Sequence, residues 1–169
     1  MSDYVAGAPL SSAVFSPCRT YRYLLWRWWE IPRGYVMFVG LNPSTADESI
    51  DDPTIRRCIG FAKAWGYGGL CMANLFAFRA TQPAAMKAAH DPVGPDNDHA
   101  LRESAERAGL LVAAWGVHGA HQDRAAAVMA MLPGIHCLRL TKDGHPGHPL
   151  YLPRGLKPVV MGDAVRPGR

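Results

Sequence analysis

A β-branched apolar run that stops at a proline-containing turn constrains the fold of this chain most strongly. The run reads Tyr-Val-Met-Phe-Val-Gly-Leu over residues 35–41, and Asn42, Pro43 and Ser44 follow it directly. Short apolar runs bounded by turn residues are typical of buried parallel strands. Ligands of open α/β sheets bind at the carboxyl ends of such strands. The sequence therefore predicts a buried strand over residues 35–41 that brings Asn42 to a ligand site.

Apolar runs and helix signals alternate through the rest of the chain. Further strands are predicted at residues 70–75, 110–115 and 135–140. Helices are predicted from Pro53, from Pro83, over residues 97–107 and over residues 122–132. For the first helix, Asp52 can cap the amino end, a proline suits the first turn and Gly66 provides the stop.

This alternation of strands and helices predicts the fold class. Parallel strands joined by helices form sheets with helices on both faces. We therefore expect an α/β fold, a single three-layer α/β/α domain over residues 1–169 with a central, mostly parallel, four-stranded sheet, because 169 residues suit one domain. An aromatic and basic segment at residues 21–30, followed by Pro32 and Gly34, predicts an extra N-terminal strand that forms a hairpin with the strand at 35–41.

The composition favours a globular protein without a metal centre. Hydrophobic residues make up 49% of the chain and charged residues 19%, which predicts a buried core. No apolar run reaches the roughly 18 residues of a spanning helix, so no membrane partner is expected. The four cysteines form no Cys-x-x-Cys pair, which argues against a zinc or iron–sulfur site and favours reduced thiols in a cytoplasmic protein. The net charge of +4 is compatible with a polyanionic partner.

Four segments at the ends of the predicted strands resemble motifs of the uracil-DNA glycosylase superfamily. In chain order they are residues 40–44, Asn74, residues 112–116 and residues 145–150. The first is similar to the superfamily's Gly-x-Asp/Asn-Pro motif in its Asn form, and the last is similar to its His-Pro-Ser-Pro-Leu loop. The resemblance spans about residues 35–158 and implies a uracil-DNA glycosylase-like fold that needs no cofactor and no metal.

The chain also resembles a narrower bacterial and phage family known as a domain of unknown function. That family's hallmarks are Gly-Leu-Asn-Pro-Ser-Thr-Ala, Asp-Asp-Pro-Thr-Ile-Arg-Arg, Asp-Pro-Val-Gly-Pro-Asp-Asn-Asp and His-Pro-Leu-Tyr-Leu. They occur here at residues 40–46, 51–57, 91–98 and 148–152. The first hallmark carries Asn where a catalytic Asp is the other superfamily form, and the last loop offers two histidines.

The superfamily resemblance implies that Asn42 and His148 carry a reaction at an N-glycosidic bond. Breaking that bond builds positive charge on the sugar and negative charge on the departing base. Asn42 would hold the attacking water through its side-chain carbonyl, although an amide orients a water without the general-base help that is worth about 10²–10⁴-fold. His148 would donate to the leaving base, which can contribute roughly 3–4 kcal/mol. His145 is the rival histidine, and capping a turn is the alternative role for Asn42.

Recognition of the base is expected to fall to Asn74, at the end of the second strand. Its amide both donates and accepts, so it suits one edge of a pyrimidine. The alternative is a buried Asn that satisfies backbone groups. Phe76, or Phe78, would stack on the base, although aromatic residues after a strand are more often core. Ser44 would bind phosphate or cap a turn.

Several further residues have possible secondary roles. Asp51 would contact the water or a substrate hydroxyl, or face solvent, and Arg57 would contact phosphate or face solvent. Trp115 ends the third strand at the same sheet edge. Leu150 and Tyr151 would act as an apolar wedge if a duplex base is flipped out, since base flippers and DNA benders insert such residues; a core or lid role is the alternative.

These features together predict a DNA glycosylase-like hydrolase that removes a damaged or modified pyrimidine, with DNA as its partner and a nucleobase in its pocket. One alternative is a nucleobase- or nucleotide-binding module that does not cleave, which the absence of the catalytic Asp favours. Another is an enzyme that acts on free nucleosides or nucleotides, which the modest basic excess favours.

Overall fold

Strands and helices alternate along the chain in the computed structural model, which describes residues 10–163. The strands are β1 (Leu10–Phe15), β2 (Arg22–Trp28), β3 (Tyr35–Gly40), β4 (Gly69–Asn74), β5 (Leu110–Ala113), β6 (His136–Cys137) and β7 (Val159–Val160). The helices are α1 (Pro53–Ala64), α2 (Pro83–Ala88), α3 (Asn97–Glu106) and α4 (Arg124–Met131). Short 3-10 segments lie at Ile31–Arg33, Gly116–Asp123, Pro149–Tyr151 and Met161–Asp163. The fold is α/β, as the sequence predicts.

The strands form one mixed sheet in the order β1-β2-β4-β3-β5-β6-β7. Its centre is parallel, because β3 pairs in parallel with β4 and β5, and β5 pairs in parallel with β6. Both sides are antiparallel, through β1, β2 and β4 on one side and through β6 and β7 on the other. The four predicted strands are the parallel centre, but the prediction of a four-stranded sheet was too small. The fourth strand is also shorter than predicted, at His136–Cys137.

The predicted hairpin between the N-terminal segment and β3 was wrong, because β4 lies between the two strands. β2 pairs with β1 and with β4, and not with β3. The entry of β4 depends on two glycines: a Cβ at Gly68 would collide with the Glu30 carbonyl, and one at Gly69 would collide with the Trp28 ring. The N-terminal hairpin is instead the antiparallel pair of β1 and β2.

Side chains of each central strand alternate between the two faces of the sheet, and each face packs in a different hydrophobic core. Val36 and Phe38 of β3 pack in the cluster beneath α1, whereas Met37 and Val39 pack in the cluster on the opposite face. In β4, Leu70 and Met72 face α1 in the same way. Since side chains alternate across a strand, Asn74 continues the α1-facing row at the carboxyl end of β4.

The amino end of α1 is built as the sequence predicts. Asp52 is the N-cap, and its Oδ1 accepts a hydrogen bond of 2.9 Å from the amide of Ile55. Pro53 occupies the first helical position. This cap satisfies an amide of the first turn of α1 that has no partner within the helix. None of the helices within residues 10–163 combines the length and apolar character needed to cross a membrane.

Candidate functional site

A cavity of about 630 Å³ opens where β3 and β4 end, and we call it the edge cavity. Its walls come from the ends of these strands, the first turn of α1, the segment after β5 and the loop around residue 148. The volume is within the usual range of small-molecule sites. Three side chains predicted to form the site line this one cavity: Asn42, Asn74 and His148.

The amide of Asn42 is held in one orientation by backbone carbonyls. Its Nδ2 donates to the carbonyl oxygen of Ala80 at 2.9 Å and to that of Pro43 at 3.1 Å, with a longer contact of 3.4 Å to that of Phe78. These acceptors fix which end of the amide carries nitrogen. Within residues 10–163 no hydrogen bond to the Asn42 Oδ1 is found. The side-chain carbonyl is therefore the end left to accept from a water or a ligand, and the amide does not cap a turn through its oxygen.

Asn74 lines the edge cavity and carries an unpartnered buried donor. Its side chain belongs to a residue only 2% exposed, and its Nδ2 is buried without a hydrogen-bond partner in the described part of the chain. Its backbone carbonyl is satisfied, since it accepts from the Asn97 Nδ2 at 3.0 Å. An unsatisfied buried donor costs about 1–3 kcal/mol. Such a group calls for a specific explanation, and Asn74 is one of the residues that line the edge cavity.

Gly40 makes room for the Asn74 side chain. The two residues pair directly across β3 and β4. A Cβ at Gly40 would lie 2.8 Å from the Asn74 Oδ1 and 2.8 Å from the Met72 Cε, both closer than side chains tolerate. Side chains of the neighbouring strand β4 therefore require a glycine at position 40, which is not only a turn residue.

His148 presents a neutral ring to the cavity. Its Nδ1 accepts a hydrogen bond of 3.2 Å from the amide of Leu150, which places the proton of the neutral ring on Nε2. Burial lowers the pKa of His148 from its usual value, and the charge of Asp52 opposes that shift. His148 is therefore a neutral donor through Nε2 at pH 7, as a group that stabilises a leaving base requires.

Arg22 lines the same cavity, although no functional role was predicted for it. It is 2% exposed, its Nη1 donates to the Ala46 carbonyl at 2.8 Å, and its Nε is buried without a partner in the described residues. Burial lowers the pKa of Arg22 to about 10, and the charge of Asp52 opposes the shift, so the side chain stays charged at pH 7. The sequence signal that could have indicated a role for Arg22 is its position as a charged residue at the start of the aromatic strand β2.

Other predicted residues lie on the wall or rim of the edge cavity. Ser44, Trp115, Leu150 and Tyr151 all line it. Trp115 is almost fully buried, whereas Tyr151 is 84% exposed and its ring lies 5.4 Å from that of His148. Tyr151 therefore stands at the mouth of the cavity, where a wedge or a lid residue would have to be.

Two predicted residues lie away from the cavity because their side chains have other partners. Phe76 is fully buried in the core on the opposite face of the sheet, with its ring 5.6 Å from that of His121, so its predicted stacking on a base is corrected. Asp51 forms an ion pair with Arg27, with the Arg27 Nε 2.8 Å from the Asp51 Oδ1. This pair holds the loop before α1 and turns Asp51 away from a role in the cavity.

The rival histidine is also separated from the cavity. His145 closes a turn in which its amide donates to the Thr141 Oγ1 at 3.1 Å, and it is not among the residues that line the cavity. Of the two histidines in the loop, His148 is the one that reaches the edge cavity.

Arg57 lines a second cavity of about 520 Å³, which we call the arginine groove. Arg56, Arg57 and Arg154 line the groove, and no acidic residue of the described chain does. Leu150 lines both the groove and the edge cavity, so the two are neighbours. The predicted contact of Arg57 with phosphate therefore belongs to the groove and not to the edge cavity.

The fold and the edge cavity define an α/β protein with its candidate site at the carboxyl edge of parallel strands. A family model described as "Protein of unknown function (DUF1643)" matches residues 22–150. Because this match covers most of the chain, the chain belongs to the DUF1643 family. No curated protein and no solved structure matches the chain. The matched residues include Arg22, Asn42, Asn74 and His148.

Proposed function

We propose that this protein is a DNA glycosylase-like hydrolase that removes a damaged or modified pyrimidine from DNA. The observation that carries the proposal is the convergence of Asn42, Asn74 and His148 on one cavity. Each side chain leaves free the atom that the reaction needs: a carbonyl oxygen on Asn42, an amide nitrogen on Asn74 and a ring N–H on His148.

In the proposed reaction, water attacks the sugar carbon as the bond to the base breaks. The Asn42 Oδ1 would accept a hydrogen bond from this water and aim its oxygen at the sugar. The departing base takes the bonding electron pair, and the Nε2–H of His148 would stabilise the charge that develops on a base oxygen. The attacking water loses one proton as its oxygen bonds to the sugar, and the released base anion would take up that proton through solvent, because the Asn42 amide cannot accept it. Removing a donor aimed at developing charge typically costs about 10²–10³-fold in kcat. Asn74 would hold an acceptor on the edge of the base.

The arginine groove supports DNA as the substrate. It carries three guanidinium groups beside the edge cavity, where phosphates that flank a bound nucleotide would lie. Leu150, which lies between the two cavities, and the exposed Tyr151 would fill the gap left by an extruded base. Each phosphate contact adds close to one unit to the slope of log affinity against log salt. Arg154→Ala should therefore lower that slope by about one.

The proposal is tested with oligonucleotides that carry different modified pyrimidines, scored for alkali-labile abasic sites. Wild-type protein should release one of these bases, and Asn42→Ala should abolish release. His148→Gln should slow release by about 10²–10³-fold, whereas His145→Gln, the matched control in the same loop, should leave the rate unchanged. Unaltered release by Asn42→Ala would sink the assignment.

A binding module without cleavage is the second candidate, and the fixed amide of Asn42 favours it. The Nδ2 of Asn42 is held by the Ala80 carbonyl, and an amide cannot take a proton from water as a carboxylate does. This candidate predicts tight ligand binding with no abasic product even at high protein concentration. In either case, we propose a cytoplasmic location, on the sequence argument from scattered, unpaired cysteines.

A further inference from the structure

We infer that Arg22 binds an oxyanion of the ligand, a phosphate, inside the edge cavity. This inference rests on the proposed binding of a nucleotide there, and it adds a phosphate to what the cavity recognises. Three observations support it: within the described residues most N–H groups of Arg22 have no hydrogen-bond acceptor, the cavity wall they form carries one carboxylate, and the cavity is large enough for a nucleotide.

The same strand offers a second buried arginine for comparison. Arg27, at 6% exposure, forms an ion pair with Asp51 at 2.8 Å and donates to the carbonyls of Trp26 at 2.8 Å and Asp47 at 2.6 Å. Arg22, at 2% exposure, has one hydrogen bond, to the Ala46 carbonyl, and its Nε has no partner within residues 10–163. Arg27 does not line the edge cavity and Arg22 does. A structural role accounts for Arg27 and leaves most donors of Arg22 unexplained.

The cavity wall balances the charge of Arg22 only in part. Asp52 is the one carboxylate among the described lining residues, and no ion pair between Asp52 and Arg22 lies within 4.0 Å. The Asp52 Oδ1 already accepts the hydrogen bond that caps α1. A buried charge is costly unless it is paired and hydrogen-bonded. An oxyanion that enters the cavity would supply both the charge and the acceptors that the wall lacks.

A nucleotide matches the spacing of donors better than a base alone. Arg22 and Asn74 each leave a buried N–H group without a partner, and both line the same cavity. A ligand with acceptors at both ends would match these two residues. A volume of about 630 Å³ has room for a base, a sugar and a phosphate together. The guanidinium fork is also the side chain best suited to bind phosphate through two oxygens.

The test compares binding of deoxyuridine 5′-monophosphate, deoxyuridine and inorganic phosphate by calorimetry, with a uracil-containing single strand as a fourth probe. Wild-type protein should bind the monophosphate at least about tenfold more tightly than the nucleoside, as a charge-assisted hydrogen bond predicts. Arg22→Gln should remove this preference and Arg22→Lys should restore part of it. Arg27→Gln is the matched control: it removes a buried arginine of the same strand that does not line the cavity. It should lower the melting temperature and weaken the monophosphate and the nucleoside alike, so that the preference between them is kept.

Each outcome bears on the inference. Loss of binding of the monophosphate in Arg22→Gln supports a free nucleotide as the source of the phosphate, and loss confined to the single strand supports a backbone phosphate. Four results would overturn the inference. Wild type could bind the monophosphate and the nucleoside equally, or bind none of the probes. The preference for the monophosphate could also be kept in Arg22→Gln, or be lost in Arg27→Gln as much as in Arg22→Gln. Base release measured in parallel separates this inference from the proposed function. Phosphate binding through Arg22 without base release in any variant would contradict only the glycosylase activity. Base release with a KM unchanged in Arg22→Gln would contradict only the phosphate site.

Discussion

Replacing Asn42 by aspartate tests how firmly the backbone fixes this amide. The Asn42 Nδ2 donates to two carbonyl oxygens, of Ala80 at 2.9 Å and of Pro43 at 3.1 Å, and lies 3.4 Å from that of Phe78. Asn42→Asp keeps the shape of the side chain and places a carboxylate oxygen against these three acceptors. An aspartate is a stronger base, yet here we expect it to destabilise the fold instead of improving the site.

The size of the effect follows from the bonds that are lost. Leaving a buried hydrogen-bonding group unpaired costs about 1–3 kcal/mol, and more when a charge is involved. Asn42 is half-buried, so water recovers part of the additional cost of the charge. Because one donor group faces three acceptors and becomes negative, we expect a loss of about 3 kcal/mol in the free energy of unfolding at neutral pH. For a chain of this length each kcal/mol shifts Tm by about 2–4 °C, so Tm should fall by about 6–12 °C.

Thermal and urea unfolding of wild type, Asn42→Asp and Asn42→Ala at a series of pH values measures this loss. The folded protein disfavours the ionised carboxyl, so the loss should be full at neutral pH and should shrink as pH falls. It should be gone only well below the unfolded pKa of about 4, where the carboxyl is protonated in both states. Asn42→Ala removes the same bonds without adding charge, so its loss should not depend on pH in this way.

Two results would refute the reasoning about the fixed amide. One is an Asn42→Asp variant within about 0.5 kcal/mol of wild type at neutral pH, which is the range of neutral surface substitutions. The other is a loss in Asn42→Asp that does not change with pH, since a carboxylate facing carbonyl oxygens must respond to its own protonation.

Three further predictions concern the neighbourhood of the cavity and the thiols. Gly40→Ala should weaken ligand binding, because its methyl would lie 2.8 Å from the side-chain amide oxygen of Asn74. The control is Gly60→Ala on α1, whose methyl meets nothing within 4 Å and should stabilise the helix by about 1 kcal/mol. Equal ligand affinities of the two variants would contradict this prediction. Because burial lowers the pKa of His148, wild-type stability should be full above about pH 6.5 and should fall below it, and denaturation curves of His148→Gln should show a weaker fall. Hydrogen bonding to the Ser16 hydroxyl, with smaller contributions from its other neighbours, lowers the pKa of Cys18 to about 7, so iodoacetamide at neutral pH should alkylate this exposed thiol first; mass spectra in which a buried cysteine reacts as fast would oppose it.

The central strands were predictable because their apolar runs are continuous. Strands buried on both faces need such runs, and β3 and β4 are buried at every position. β1 alternates partly exposed residues at an edge, and β7 consists of two exposed valines, so neither gives this signal. The partner of β2 was also hidden, because the insertion of β4 depends on Gly68 and Gly69, about 40 residues further along the chain.

The candidate site was predictable where it follows strand ends and not where it follows long-range pairing. Asn74 is the last residue of β4 and Asn42 lies two residues beyond the end of β3, and these parallel strands end at the same edge of the sheet. Arg22 reaches the same edge because β2 runs antiparallel to β4, so the first residue of β2 lies beside the last residues of β4. Phe76 shows the converse, since the chain turns after Asn74 and carries the ring to the other face.

The two arginines of β2 have a joint consequence for how fast a ligand exchanges. Arg22 bonds to the carbonyl of Ala46, and Arg27 bonds to the carbonyl of Asp47 and the carboxylate of Asp51, so the loop that follows β3 is tied at three points. A wall fixed in advance loses little conformational entropy when a ligand arrives. We therefore expect association without a slow closing step, with affinity differences between ligands expressed mainly in their residence times.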